Sequence, residues 1–209
     1  MNLKTSVLIV VDVQNGFLPG GNLAVADAHK IVPIINGIAQ RFTHVLLTQD
    51  WHPAGHLSFA SSHPGKKVGD VVDFVYGQQV LWPDHCIQGT HDAALCEQMN
   101  VSHAQLIIRK GYVQDVDSYS AFMEADRKTM TGLAAYLKER GLTHCYICGL
   151  ATDFCVTWTA LDAKALGFDA TVLEDACQGI DLNGSLARAR AEMKLAGVEL
   201  MNSANLFSY

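Results

Sequence analysis

Ser6-Val7-Leu8-Ile9-Val10-Val11 is a near-continuous aliphatic run, and Asp12 follows it immediately. A strand shows such a run when both of its faces are buried, so this segment is expected inside a parallel sheet with Asp12 at its carboxyl end. The pattern recurs in Val45-Leu46-Leu47-Thr48-Gln49, ending at Asp50, and in Gln105-Leu106-Ile107-Ile108-Arg109, followed by Lys110. Thr143 to Cys148, Asp169 to Leu173 and Val198 to Met201 complete six predicted strands. Between them the period changes. Ile31, Ile34, Ile35 and Ile38 fall at helical spacing within Asp27 to Phe42, where Pro33 fits only near the helix start or at a kink. Thr131 is positioned to cap a helix over Gly132 to Arg140, with Gly141 beyond its end. Thr157 to Leu166, closed by Gly167, and Ser185 to Ala196, closed by Gly197, read as two more helices.

Alternating strands and helices predict one three-layer α/β/α domain over residues 1–209, a mainly parallel six-stranded sheet with helices on both faces. Residues of about 50–104 break the alternation. They hold no long periodic segment, and so long an irregular stretch inside a compact domain is expected to carry function.

Composition narrows the partners. With 49% hydrophobic residues in 209, the chain has enough apolar material for a substantial core. The formal net charge of −6, without a block of Lys or Arg, gives no footprint for nucleic acid or an anionic membrane and favours a small-molecule ligand. No apolar run approaches the roughly 20 residues of a membrane span, and Met1 to Thr5 lacks a signal-peptide layout. Six cysteines spread over a medium-sized chain read as reduced thiols, so the cytoplasm is the expected location. A homo-oligomer is left open.

In a parallel sheet, ligands bind beyond the carboxyl ends of the strands. Asp12, Asp50, Lys110 and Cys155 each fall at or just past the end of a different predicted strand, so all four are expected in one crevice. Cys155 follows the Gly149-Leu150-Ala151-Thr152-Asp153-Phe154 turn and is expected in the first turn of a helix. There the unpaired N–H groups favour a thiolate, Lys110 would lower the thiol pKa further, and Asp12 could take the proton. These groups suit acyl transfer, with backbone N–H groups of the turn as oxyanion donors. Asp50-Trp51-His52, with His85 further on, forms a second group suited to zinc, iron or manganese, with His56, Ser58 and His63 as lesser ligand candidates. Trp51, Trp82, Phe17 and Tyr119 lie in loops near the expected crevice, which makes a flat aromatic ligand reasonable. Cys145 and Cys148 match C-x-x-C, but within a strand they face opposite ways and form neither a redox pair nor half a zinc site.

Six stretches carry a resemblance that spans nearly the whole chain: Val11-Asp12-Val13-Gln14-Asn15, Asp50-Trp51-His52-Pro53, Trp82-Pro83-Asp84-His85-Cys86, Arg109-Lys110-Gly111, Asp117 to Phe122, and Gly149 to Val156. Together they resemble the nicotinamidase group of the isochorismatase-like cysteine hydrolases. The resemblance implies an amidohydrolase that converts nicotinamide to nicotinate and ammonia through a cysteine thioester, in NAD salvage, with action on pyrazinamide as well. It implies catalytic roles for Asp12, Lys110 and Cys155. One divalent metal ion, zinc ahead of iron and manganese, would sit on Asp50, His52 and His85 and hold the pyridine nitrogen. A cis peptide at Leu150–Ala151 would turn the N–H groups of Ala151 and Cys155 into the oxyanion hole, and Phe17, Trp82 and Tyr119 would line the ring pocket. Gly16 departs from the family, which usually has Asp there, and leaves open what braces the loop beside Asp12.

Three other readings compete. The same fold serves amidases for other small amides or ureido compounds; a bound metal could itself be the hydrolytic centre; or the chain could be a non-enzymatic binding protein. Loss of Cys155 separates the cysteine mechanism from the metal one.

Overall fold

The computed structural model describes residues 2–206. Strands β1 (Ser6–Val11), β2 (Val45–Asp50), β5 (Leu106–Lys110), β6 (His144–Leu150), β7 (Asp169–Gln178) and β8 (Glu199–Met201) form one sheet, every neighbouring pair parallel, in the order β5-β2-β1-β6-β7-β8. All six residues of β1 and of β2 are buried, as their aliphatic runs require. Helices α1 (Ile31–Ala39), α2 (Leu133–Glu139), α3 (Thr157–Ala165) and α4 (Ser185–Leu195) connect the strands. From β1 the chain steps one way to β2 and β5, then returns to β6 and steps the other way to β7 and β8. Right-handed connections in opposite directions put helices on both faces and make β1/β6 the switch point, where a crevice opens at the strands' carboxyl ends. No helix among the described residues is long and apolar enough to cross a membrane.

Several boundaries differ from the sequence pattern for local reasons. Ala28 to Lys30 form a 3₁₀ turn ahead of α1, and Pro33 sits in the helix's first turn, where its missing N–H costs nothing. Gly132 takes the N-cap of α2 in a left-handed conformation, while the expected cap, Thr131, still accepts the Leu133 N–H at 3.2 Å and donates to the Ala121 carbonyl at 2.6 Å. Strand β7 runs five residues beyond Leu173 because a register shift lets it rejoin β6 at Gly149↔Cys177. Its polar Glu174 and Asp175 concealed that continuation, and Asp175 is satisfied there by the Ser203 N–H at 2.7 Å.

The stretch of about 50–104 is less irregular than its sequence suggests. It contains an antiparallel hairpin, β3 (Val71–Phe74) with β4 (Gly77–Val80), too short and too exposed to leave a clear hydrophobic pattern. The same stretch braces the loop after β1. Gly16 lies against Asp92, whose carbonyl accepts the Gly16 N–H at 2.7 Å and whose carboxylate accepts the N–H groups of Cys86 at 2.7 Å and Asn22 at 3.0 Å. A Cβ at position 16 would fall 2.6 Å from that carboxylate. Asp92 thus supplies the bracing that the absence of Asp at position 16 left open.

Gly16→Ala is therefore expected to lower the thermal unfolding midpoint, through an overpacking cost of about 1–3 kcal/mol. An unchanged midpoint in differential scanning fluorimetry would show that Asp92 moves aside freely.

Candidate active site

The crevice is built from strand ends. Asp50 and Lys110 are register partners at the ends of β2 and β5, so their side chains leave the sheet on one face. Lys110 is fully buried, and its ammonium lies 2.8 Å from Asp12 Oδ2, 2.9 Å from Asp50 Oδ1, 3.2 Å from the Ser118 carbonyl and 3.5 Å from Cys155 Sγ. Burial opposes its charge, but the two carboxylates outweigh it and raise its pKa well above the usual lysine value. Asp12 closes β1 in the left-handed region, at φ +48°. Thr48 holds it there, donating to Oδ1 at 2.6 Å and accepting its N–H at 3.0 Å. The four strand-end residues expected in one crevice are together.

Cys155 does not start an α-helix. It lies in a π-helical turn, Thr152–Val156, that leads into α3, and the Leu150–Ala151 peptide before it is cis. The expected low thiol pKa is overturned as well. Burial pushes the thiol well up, and the pull of Lys110 is countered by the carboxylates of Asp12 and Asp50. Cys155 Sγ accepts from the Lys110 ammonium at 3.5 Å, and the same ammonium is paired with Asp12. Burial also raises the Asp12 pKa despite Lys110, making this carboxylate a stronger base than an exposed one.

Asp50, His52 and His85 bring one ligand atom each to within 4.8 Å of one another. Asp50 Oδ2 is 3.1 Å from His52 Nε2 and 3.3 Å from His85 Nε2. The other ring nitrogens, Nδ1 in each case, meet carbonyls: His52 that of Gly111 at 2.9 Å, and His85 that of Pro83 at 2.8 Å. A carbonyl fixes the proton on Nδ1 and leaves Nε2 with a lone pair, as metal-binding imidazoles require. Gly111 has φ +65°, and a Cβ there would sit 2.5 Å from the His52 ring. Gln14 fixes Asp50 from behind, accepting its N–H at 2.7 Å and donating to its carbonyl at 2.9 Å. The residues present therefore fit a divalent ion. His56 is already satisfied, by Ser58 Oγ at 2.8 Å and the Val113 carbonyl at 2.9 Å, and His63 by the Leu57 carbonyl at 2.7 Å.

Between the Cys155 group and the histidines lies a small cavity of about 20 Å³, lined by Phe17, Leu23, Trp82, Tyr119, Phe154 and Ile180, with Asp117, Ser118 and Ala151. Trp51 is absent from it; its ring lies 3.9 Å beneath the Arg109 guanidinium at the β5 edge. Leu23, Asp117, Ser118, Phe154 and Ile180 were not assigned from sequence. Ile180 reaches the cavity because buried Asp153 accepts the N–H groups of Ile180 at 3.0 Å and Asp181 at 2.8 Å, together with the Ser185 hydroxyl. A larger groove lined by Asn15, Pro19, His29, His91 and Glu97 contains none of the strand-end residues.

Fold and site define a class: parallel α/β proteins whose switch-point crevice sets a buried cysteine beside a lysine that is paired with carboxylates. The chain belongs to the isochorismatase family, whose domain matches residues 6–205. It is 58% identical to a nicotinamidase of Acinetobacter baylyi over 199 residues, covering 95% of this chain and 93% of that one. Among solved structures, the nicotinamidase and pyrazinamidase of Acinetobacter baumanii superposes with a TM-score of 0.97 at 60% identity, over 98% of this chain and 99% of that one. The pyrazinamidase of Pyrococcus horikoshii in complex with zinc gives 0.78 at 35% identity, over 95% and 99%.

Lys110→Met leaves two buried carboxylates without their shared cation, and a loss of about 3–5 kcal/mol is expected in urea denaturation. A midpoint equal to that of the wild type would mean that the pair is not held as a buried ion cluster.

Proposed function

We propose that this protein hydrolyses nicotinamide to nicotinate and ammonia, and that it acts on pyrazinamide as well, with Asp12, Lys110 and Cys155 as its catalytic residues. The observation that carries the reading is one cavity with Cys155 beside the Lys110–Asp12 pair on one side and two imidazole Nε2 atoms beside the Asp50 carboxylate on the other. Cys155 Sγ attacks the carboxamide carbon while its proton passes to Asp12. The N–H groups of Ala151 and Cys155, at the turn after the cis peptide, receive the oxyanion. Asp12 then returns the proton to the leaving nitrogen, ammonia departs, and a thioester remains. Water attacks the thioester as Asp12 takes its proton, and the thiol leaves with nicotinate as product. Lys110 keeps Asp12 ionised between these transfers and offsets charge in the buried site.

Asp50, His52 and His85 would hold a divalent metal, zinc by preference for a carboxylate and two imidazoles, and when bound it supplies a Lewis-acid site for the ring nitrogen. Phe17, Trp82 and Tyr119 enclose the flat ring. The same proposal treats residues 1–209 as one hydrolase domain, with about 50–104 as its metal-binding loop. It places the reaction in the cytoplasm, as a step of NAD salvage; the six free cysteines fit a reducing compartment.

Purified, metal-replete protein is expected to release ammonia from nicotinamide, and Cys155→Ala to lower that rate by about 10³-fold or more. No release by the wild type would overturn the assignment, and substantial turnover by Cys155→Ala would move the chemistry to the metal. Metal binding itself is expected to be pH-dependent. Burial opposes protonation of His52, but Asp50 outweighs it and raises the pKa, so a proton competes with the ion to higher pH than for free histidine. Bound zinc, measured by elemental analysis after equilibrium dialysis, should increase between pH 6 and pH 8 and fall sharply in His52→Ala.

A further inference from the structure

The β3–β4 hairpin faces solvent: Val71 is 54% exposed, and Val75 at its tip is fully exposed. Gln79 departs from this pattern, with 1% exposure. A buried amide is costly unless bonded, and this one is bonded towards the cavity wall. Its Nε2 lies 2.7 Å from Asp117 Oδ2, 2.7 Å from Tyr119 Oη and 2.8 Å from the Val80 carbonyl, while its Oε1 accepts from the Tyr76 hydroxyl at 3.2 Å. Trp82 Nε1 donates to the same Tyr119 oxygen at 2.9 Å. The Tyr119 hydroxyl thus accepts two N–H bonds, one from the hairpin and one from the facing wall, and its ring packs on Phe154 and Trp158. Asp117 is fixed as well, since its other oxygen accepts the Ser118 N–H at 2.8 Å.

We propose that Gln79 is a positioning residue for substrate binding, fixing Tyr119 and Asp117 and, through the Tyr119 hydroxyl, Trp82. The inference rests on the nicotinamide reading and deepens it. Gln79 does not line the cavity, but Asp117, Tyr119 and Trp82 do. None of its hydrogen bonds reaches Asp12, Lys110 or Cys155. Its loss should therefore loosen the aromatic slot that holds the ring and leave the acyl-transfer groups in place. The hairpin becomes the part of the long loop that sets ring affinity, and through Asp117, whose Oδ1 lies 3.9 Å from His52 Nε2, it also borders the metal ligands.

The test is steady-state ammonia release from nicotinamide by the metal-replete wild type, Gln79→Leu, Tyr119→Phe and the double variant, with circular dichroism melts of each. Gln79→Leu keeps the volume and removes both donors, and is expected to raise KM by about tenfold with kcat within about twofold. In the Tyr119→Phe background the same change should raise KM by less than that factor, because the shared acceptor is gone. Gln79→Glu sets a carboxylate against Asp117 and carries the same expectation if Gln79→Leu fails to fold. A KM unchanged in the folded variant, a loss confined to kcat, or effects that simply multiply in the double variant would overturn the inference while the nicotinamide reading stands. A wild type that releases no ammonia would overturn both.

Discussion

The structure depends on one buried cation. Lys110 is enclosed where β1, β2, β5 and the turn after β6 meet, with Asp12, Asp50 and Cys155 around its ammonium. Burying an ammonium is tolerated only when carboxylates and carbonyls replace its water, so these side chains can occupy the crevice only together. The parallel register that sets Asp50 beside Lys110 is the backbone condition for that arrangement, and Thr48 extends it to Asp12. Strand pairing and site geometry are in this sense a single constraint.

The same cluster sets the surroundings of Cys155, the proposed nucleophile. Burial raises the Cys155 thiol pKa well above its usual value, and the carboxylates of Asp12 and Asp50 counter the pull of Lys110. In the proposed mechanism such a thiol is activated at the moment of attack, by transfer to a carboxylate whose own pKa burial has raised. Asp50 belongs to both halves of the crevice. One of its oxygens meets Lys110 and the other meets His52 and His85, and these partners outweigh burial to hold it well below the ordinary carboxylate range. An ion on the histidine side would offset part of the charge that Lys110 leaves uncompensated.

Around this centre the long loop acts as scaffolding with function attached. Asp92 braces the loop after β1 and holds the Cys86 N–H next to His85. Gly111 lets the chain pass close enough to orient the His52 ring. The aromatic side chains then fill the space between two polar ends, which is how a flat ring with a carboxamide and a ring nitrogen would be held at both.

The sequence by itself determined the sheet, because aliphatic runs such as Ser6 to Val11 can be satisfied only by burial on both faces, and the alternation of periods dictates parallel crossovers. It also determined that Asp12, Asp50, Lys110 and Cys155 converge, since strand ends share one edge of a parallel sheet. His52 and His85 were legible through their motifs and through the resemblance those motifs carry. Tertiary structure alone decided the rest. Proton affinity depends on burial and on neighbours remote in sequence, so the upward shift of the Cys155 thiol pKa could not follow from its place in a turn. Trp51 and Trp82 look alike in sequence, yet one lies under Arg109 and the other faces the cavity, because long-range packing selects which aromatic faces inward. Gln79 left no signal, since a single buried amide in a short exposed hairpin becomes meaningful only when Asp117 and Tyr119 are brought to it.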